Sequence, residues 1–187
     1  MPRSAPRDPR PYDAKTLSRT ALDYAARYAT TRAKLAAYLR RKLKERGWAG
    51  EGAPPVEAMV ARFAERGYVN DGAFADARAQ SLLRRGYGAR RIVASLRASG
   101  IDAETTDAVR EDIDSGAEDA ALRFARRRRI GPYADHVPDR DERRRWVSAM
   151  ARAGHPMDIV ARVLAMDAAE LDIEVDGVTS DGWYPGT

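Results

Sequence analysis

RRGYGARRIVASLRASGI, residues 84–101, holds a short apolar helical pattern between two glycine turns. Ile92 and Leu96 are four residues apart, so on a helix they share one face. Gly100 follows Leu96 by four residues, and a glycine just past a helix is a common left-handed stop. The stretch therefore predicts a short helix that buries Ile92 and Leu96 and ends at Gly100.

Two further glycines repeat this register. Apolar residues stand four and eight positions before each of them, in the sets Leu39, Leu43 and Gly47, and Trp146, Met150 and Gly154. The three glycines lie 53 and 54 residues apart, and a fixed period of this size is typical of repeat architectures. We therefore expect similar units whose first apolar residues occupy equivalent buried positions, namely Leu39, Ile92 and Trp146.

The sequence between the two termini predicts an all-α fold. Good helix formers dominate it, and strand-type alternation is absent. We expect three tandem three-helix repeats, helix-turn-helix-like in their glycine turns, at 16–66, 67–116 and 117–171. One such unit is too small to bury a good core alone, so the repeats should stack in an elongated, curved array. Residues 1–15 predict a disordered basic arm, and residues 172–187 a flexible tail.

Composition excludes several classes of protein. The 187 residues include no cysteine, which rules out disulfides, thiolate metal sites and a cysteine nucleophile. His155 follows a predicted helix stop and His136 has a single carboxylate neighbour, so we expect no metal, no cofactor and no enzyme activity. No apolar run approaches the roughly 18 residues of a membrane span, and the N-terminus lacks a signal-peptide core. These features predict a cytoplasmic protein without a membrane partner.

Charge is distributed unevenly along the chain. Residues 1–100 hold 21 Lys and Arg against 9 Asp and Glu, whereas residues 101–187 hold 12 against 19. This asymmetry indicates an oriented electrostatic interaction, with nucleic acid or with a partner that carries it. The alternative is codon bias, since 29 of the 33 basic residues are arginine.

Two basic clusters lie on predicted helix faces opposite the apolar seams. One surrounds Tyr87, and the other crowds the end of the second predicted helix. Arginine-rich surfaces with an aromatic residue bind phosphates and stack bases, and they also pair with carboxylates of protein partners. The remaining alternative is a solvated helix face. The predicted binding residues are Arg40, Arg41, Lys44, Arg84, Arg85, Tyr87, Arg90, Arg91 and Arg97.

The segment GYVNDGAFA, residues 67–75, predicts a joint between the first two repeats. Asp71 precedes a helical pattern and is expected to cap it, because an aspartate at this position accepts a hydrogen bond from the first turn. Tyr68 or Val69 is expected to pack against Phe74 as a hydrophobic staple. The joint therefore predicts a buried Phe74.

Three stretches together resemble the RecX family, regulators of the bacterial RecA recombinase. They are residues 32–47, 67–75 and 84–101. The residues that match the family pattern are Leu39, Leu43, Gly47, Gly67, Tyr68, Val69, Asn70, Asp71, Phe74, Ala75, Gly88, Arg91, Ile92, Leu96, Gly100 and Ile101. The resemblance covers about residues 16–165 and is weakest in the third repeat. Ser99 departs from the basic residue that the family usually has before the stop glycine.

The resemblance implies a non-catalytic modulator of RecA, most often an inhibitor. Similar proteins bind the RecA–single-stranded DNA filament and limit its growth, ATPase and strand exchange. We expect a monomer with weak contact to single- or double-stranded DNA. The alternatives are a direct DNA-binding protein of the helix-turn-helix type and a helical interaction module with an unrelated partner.

Overall fold

The computed structural model describes residues 10–167, whose regular secondary structure is helical, with no strand among them. This confirms the all-α class. One 3₁₀ helix, Gly131–Tyr133, accompanies the α-helices. The α-helices are α1 (Ala14–Arg27), α2 (Arg32–Arg46), α3 (Val56–Glu65), α4 (Asp71–Arg84), α5 (Ala89–Ala98), α6 (Ala103–Ala108), α7 (Arg110–Ser115), α8 (Ala117–Arg128), α9 (Arg140–Arg152) and α10 (Met157–Ala165).

The described chain divides into two compact units. The first contains residues 10–78 and 94–110, and the second contains residues 79–93 and 111–167. Helices α4 and α5 each contribute residues to both units. The boundaries of the three predicted repeats and their elongated stacking stay predictions.

The core of the first unit forms among α1, α2 and α3. Its fully buried side chains include Leu17, Leu35 and Leu39. Tyr12 is buried as well, and its backbone exchanges hydrogen bonds with Gly47 and Ala49 at 3.1 and 2.8 Å. The predicted disordered arm is therefore too long at its C-terminal end, because this aromatic side chain packs on the core. The part of that arm before residue 10 lies outside the described residues, as does the predicted tail.

The core of the second unit lies mainly between α8, α9 and α10. Phe124, Met150, Val160 and Val163 are buried there. Trp146, expected at a fully inward position, is only half-buried against this core. The inward position on α9 belongs instead to Met150, one turn later.

The ends of α5 and α9 explain the glycine register of the sequence. Gly100 and Gly154 have φ angles of +76° and +95°. In both helices, the residue four positions before the glycine accepts a backbone hydrogen bond from the residue after it, at 3.1 Å to Leu96 and 3.2 Å to Met150. This bond pattern is the Schellman motif, in which an apolar residue at that position is usual.

The joint before α4 differs from the prediction. Asn70, not Asp71, caps the helix: its Oδ1 accepts from the Ala73 amide at 2.9 Å. The Asp71 carboxylate accepts from the Arg32 amide at 2.9 Å, in the first turn of α2. Phe74 is half-buried rather than buried, and the Lys34 ammonium lies 4.6 Å from its ring centroid. Adjacent Asn and Asp are both good caps, and the tertiary contact with α2 decides between them.

Candidate functional site

The end of α4 and the turn after it position the basic cluster around Tyr87. Gly86 adopts a φ of +71°, and the Tyr87 amide donates to the Leu82 carbonyl at 3.0 Å. This Schellman ending leaves Arg84 and Arg85 exposed at the helix terminus. It also turns the chain directly into α5.

The first turn of α5 is held by backbone contacts with the turn after α9. The Gly88 amide donates to the Ala153 carbonyl at 3.0 Å, and the Arg90 amide donates to the Gly154 carbonyl at 3.1 Å. A Cβ at Gly88 would lie only 2.3 Å from the Gly154 carbonyl carbon. Two glycines thus allow a close backbone approach that fixes where α5 begins, and with it the Arg90 and Arg91 positions.

Tyr87 supports two of the arginines. The guanidinium carbons of Arg91 and Arg85 lie 4.6 and 5.4 Å from its ring centroid, which is cation–π distance. Within residues 10–167, neither arginine forms an ion pair, and the same is true of Arg84 and Arg90. We call Arg84, Arg85, Tyr87, Arg90 and Arg91 the Tyr87 surface. Its free guanidinium groups can bind phosphate or carboxylate oxygens in the bidentate manner.

The other four predicted residues lie in the first unit, and two of them are paired with carboxylates. Arg40 pairs with Glu57, and Arg41 lies 3.7 Å from the Glu45 carboxylate. Lys44 and Arg97 are exposed and make no ion pair with another described residue. Exposed pairs are weak, so Arg40 and Arg41 remain able to exchange their partners.

The two histidines have opposite environments. His136 is exposed between the carboxylates of Asp135 and Glu142, both at 2.8 Å, and its hydrogen bonds to them raise the pKa of its imidazole. The sequence identified only Asp135. His155 is fully buried, and burial lowers its pKa despite a 3.2 Å hydrogen bond to the Gly86 carbonyl. Over residues 10–167 no group of His, Cys, Asp or Glu is arranged to hold a metal.

Helix α8 also contributes to this region, which the sequence did not predict. The Arg127 guanidinium donates to the Arg85 carbonyl, and the Arg128 guanidinium lies 5.8 Å from the Phe124 ring centroid. The spacing of four residues between Phe124 and Arg128 is a signal that they share a helix face. Nothing local in the sequence places that face near Arg85.

None of the helices in the described part of the chain is long and apolar enough to cross a membrane.

Comparisons with known proteins identify the family. Residues 70–109 match a family model described as the second three-helix domain of RecX. Over 175 residues, 88% of this chain and 92% of the relative, the sequence is 35% identical to the regulatory protein RecX of Myxococcus xanthus. The chain belongs to the RecX family. Another member of that family of regulatory proteins, RecX of Mycobacterium sp. (strain JLS), is 35% identical over 150 residues, 78% of this chain and 80% of its own.

A solved structure confirms the RecX fold. The crystal structure of RecX from Lactobacillus salivarius superposes with a TM-score of 0.66 over 85% of this chain and 96% of its own. Its sequence identity is 18%, so this likeness concerns the fold alone. The sequence matches to RecX proteins confirm the family predicted from the three motif stretches.

Proposed function

We propose that this RecX-family chain inhibits the RecA recombinase by binding the RecA–single-stranded DNA filament. Binding would limit filament growth, ATP hydrolysis and strand exchange, and the chain would act as a cytoplasmic monomer with no catalysis of its own. The single observation that carries the proposal beyond the family is the Tyr87 surface. Its four arginines lack carboxylate partners among the described residues and are available to a polyanionic filament.

The remaining basic residues extend this proposal. Lys44 and Arg97 add exposed positive charge. Arg40 and Arg41 can also bind the filament, once they break their ion pairs with Glu57 and Glu45. A helical polymer presents the same contact many times. Several weak contacts made by one chain therefore combine by avidity, without a single deep binding site.

A direct DNA-binding protein is the second candidate. The short turn between α4 and α5, with Arg90 and Arg91 in the first turn of the second helix, is the arrangement in which helix-turn-helix proteins contact DNA. Such a protein would bind double-stranded DNA without RecA. The filament modulator requires RecA for its tightest binding.

Filament sedimentation separates the two candidates. RecA filaments assembled on single-stranded DNA with a non-hydrolysable ATP analogue are mixed with the protein and pelleted. We expect the protein to pellet with filaments at concentrations at which single-stranded DNA alone leaves it in the supernatant. Tighter retention by random double-stranded DNA than by filaments would favour the helix-turn-helix alternative.

Charge reversal tests the Tyr87 surface in the same assay. Arg90→Glu with Arg91→Glu places two negative charges in the first turn of α5, where the helix dipole favours them, so the fold should be retained. Surface changes of this kind usually alter stability by within about ±0.5 kcal/mol. Filament retention should fall strongly, and most at low salt, where Coulomb interactions are least screened.

A matched control comes from α9. Arg140 and Arg143 lie in and just after its first turn and are exposed. Arg140→Glu with Arg143→Glu makes the same change in net charge outside the Tyr87 surface. If both double variants lose retention equally, net charge alone accounts for binding and the proposed surface is wrong.

A further inference from the structure

A cavity lined by arginines lies in the second unit. Its volume is about 260 Å³, and α5, α8 and α9 supply one arginine each: Arg91, Arg128 and Arg152. The rings of Tyr87 and Phe124 form its apolar part, together with Ala149 of α9 and Ala153 just after that helix. Arg128, Arg152 and Phe124 are not part of the Tyr87 surface.

The positive charge of this cavity is uncompensated. No carboxylate lies among the described residues that line it, and none of its three arginines forms an ion pair within residues 10–167. Other exposed arginines of the same unit do find carboxylates, as Arg123 does with Asp119 at 3.6 Å. Because three like charges around one cavity repel each other, their gathering favours an anion that neutralises them.

Aromatic rings hold two of these arginines in place before any ligand arrives. The Arg91 guanidinium lies 4.6 Å from the Tyr87 ring centroid, and the Arg128 guanidinium lies 5.8 Å from that of Phe124. Phe124 is itself buried, and its ring centroid lies 5.5 Å from that of the buried His155. A guanidinium supported in this way loses less side-chain entropy on binding than a free one.

We propose that this cavity binds a phosphoryl group, carried either by a DNA backbone or by a free nucleotide. A phosphate ester offers several charged oxygens to several guanidinium groups at once, whereas a single carboxylate occupies one or two. The volume also leaves room for the attached sugar against Phe124, Ala149 and Ala153. The biological role of the site rests on the proposed function, of which it would be the DNA- or nucleotide-binding part.

Direct binding without RecA tests the cavity. The full chain is titrated into a fluorescein-labelled oligothymidylate, and fluorescence anisotropy measures binding. In separate experiments, ATP and inorganic pyrophosphate are each titrated into the chain, and calorimetry measures binding. Arg128→Gln and Arg152→Gln should each weaken phosphate-ligand binding about tenfold, the lower end for losing a charged hydrogen bond. Each should also reduce the slope of log affinity against log salt by about 0.7 for the single strand.

Matched controls keep the comparison sharp. Arg126→Gln on α8 and Arg143→Gln on α9 remove the same charge from the same helices, at exposed positions outside the cavity. They should change affinity and salt slope much less than the cavity variants do. Circular dichroism melts check that all four variants keep the wild-type fold.

The outcomes decide the ligand. Binding of the oligonucleotide alone, weakened in the cavity variants, supports the DNA backbone as the source. Binding of ATP or pyrophosphate that the same variants weaken supports a free nucleotide. Wild-type affinity for all three ligands in the cavity variants would overturn the proposal. So would equal displacement of the oligonucleotide by a polyglutamate peptide of matched charge, since the ligand would then be an acidic protein segment.

Failure of the site and failure of the proposed function are distinguishable. If the cavity variants bind phosphate ligands at wild-type affinity, the site is wrong whatever the filament assay gives. If the wild-type chain binds phosphate ligands through the cavity but is not retained by RecA filaments, the site stands and the proposed function is wrong.

Discussion

Replacing Thr31 with valine should destabilise the first unit by about 1.5–5 kcal/mol. Thr31 is fully buried just before α2 and its hydroxyl makes two contacts. It accepts from the Lys34 amide at 3.1 Å, as an N-cap, and donates to the Ser99 carbonyl at 2.6 Å. The second bond joins the start of α2 to a residue 68 positions later in the same unit.

The magnitude follows from these two contacts. Loss of a threonine N-cap costs about 0.5–2 kcal/mol. Leaving the Ser99 carbonyl without its partner costs about 1–3 kcal/mol more. The buried carbonyl oxygen has been removed from water, and without the threonine hydroxyl no hydrogen bond offsets that desolvation. Valine has nearly the same shape as threonine, so no cavity contributes to the effect.

Chemical denaturation and hydrogen exchange measure the change. Thr31→Val should lower the urea midpoint and speed exchange of the Lys34 amide, whereas Thr31→Ser keeps the hydroxyl and should retain most of the stability. Equal midpoints for wild type and Thr31→Val would refute the assignment of a buried, doubly bonded hydroxyl.

Two further predictions concern the joint and the buried histidine. Asn70→Ala should destabilise the protein by about 0.5–2 kcal/mol, the usual loss for an N-cap, in thermal melts; no loss would mean that α4 is capped otherwise. The pKa of His155 is lowered by burial, so the unfolded chain binds its proton more tightly. The free energy of unfolding that neutral His155 contributes is therefore fully present above about pH 6.5. It decreases as the pH falls below that value, by at most about 1.4 kcal/mol per pH unit. His155→Gln should abolish that part of the slope in denaturation series across pH 5–8; parallel curves for variant and wild type would contradict it.

The sequence predicted the helix ends better than the contacts between helices. The glycine register at Gly100 and Gly154 was visible because a Schellman ending depends on a few consecutive residues. The prediction that Asp71 caps α4 is wrong because Asn and Asp are equally good N-cap residues and the local sequence does not distinguish them. Only the packed structure brings the Arg32 amide to Asp71 and leaves Asn70 for the helix.

The candidate site was predictable in part for the same reason. Exposure of Arg90 and Arg91 follows from their place opposite the apolar seam of α5. Pairing of Arg40 with Glu57, 17 residues away, depends on how α2 and α3 pack. The approach of Arg152 to Arg91 in one cavity depends on the contact between the Gly88 and Gly154 backbones, which sequence spacing does not reveal.

The rate of ATP hydrolysis by RecA on single-stranded DNA, measured as this chain is titrated in, tests the central claim most directly. If the chain limits the filament, the rate should fall progressively and level off as binding sites on the filament fill. The Arg90→Glu, Arg91→Glu variant should require much more protein for the same effect, and the Arg140→Glu, Arg143→Glu control should not. A rate that stays constant or rises, at concentrations at which the wild-type chain pellets with filaments, would contradict inhibition.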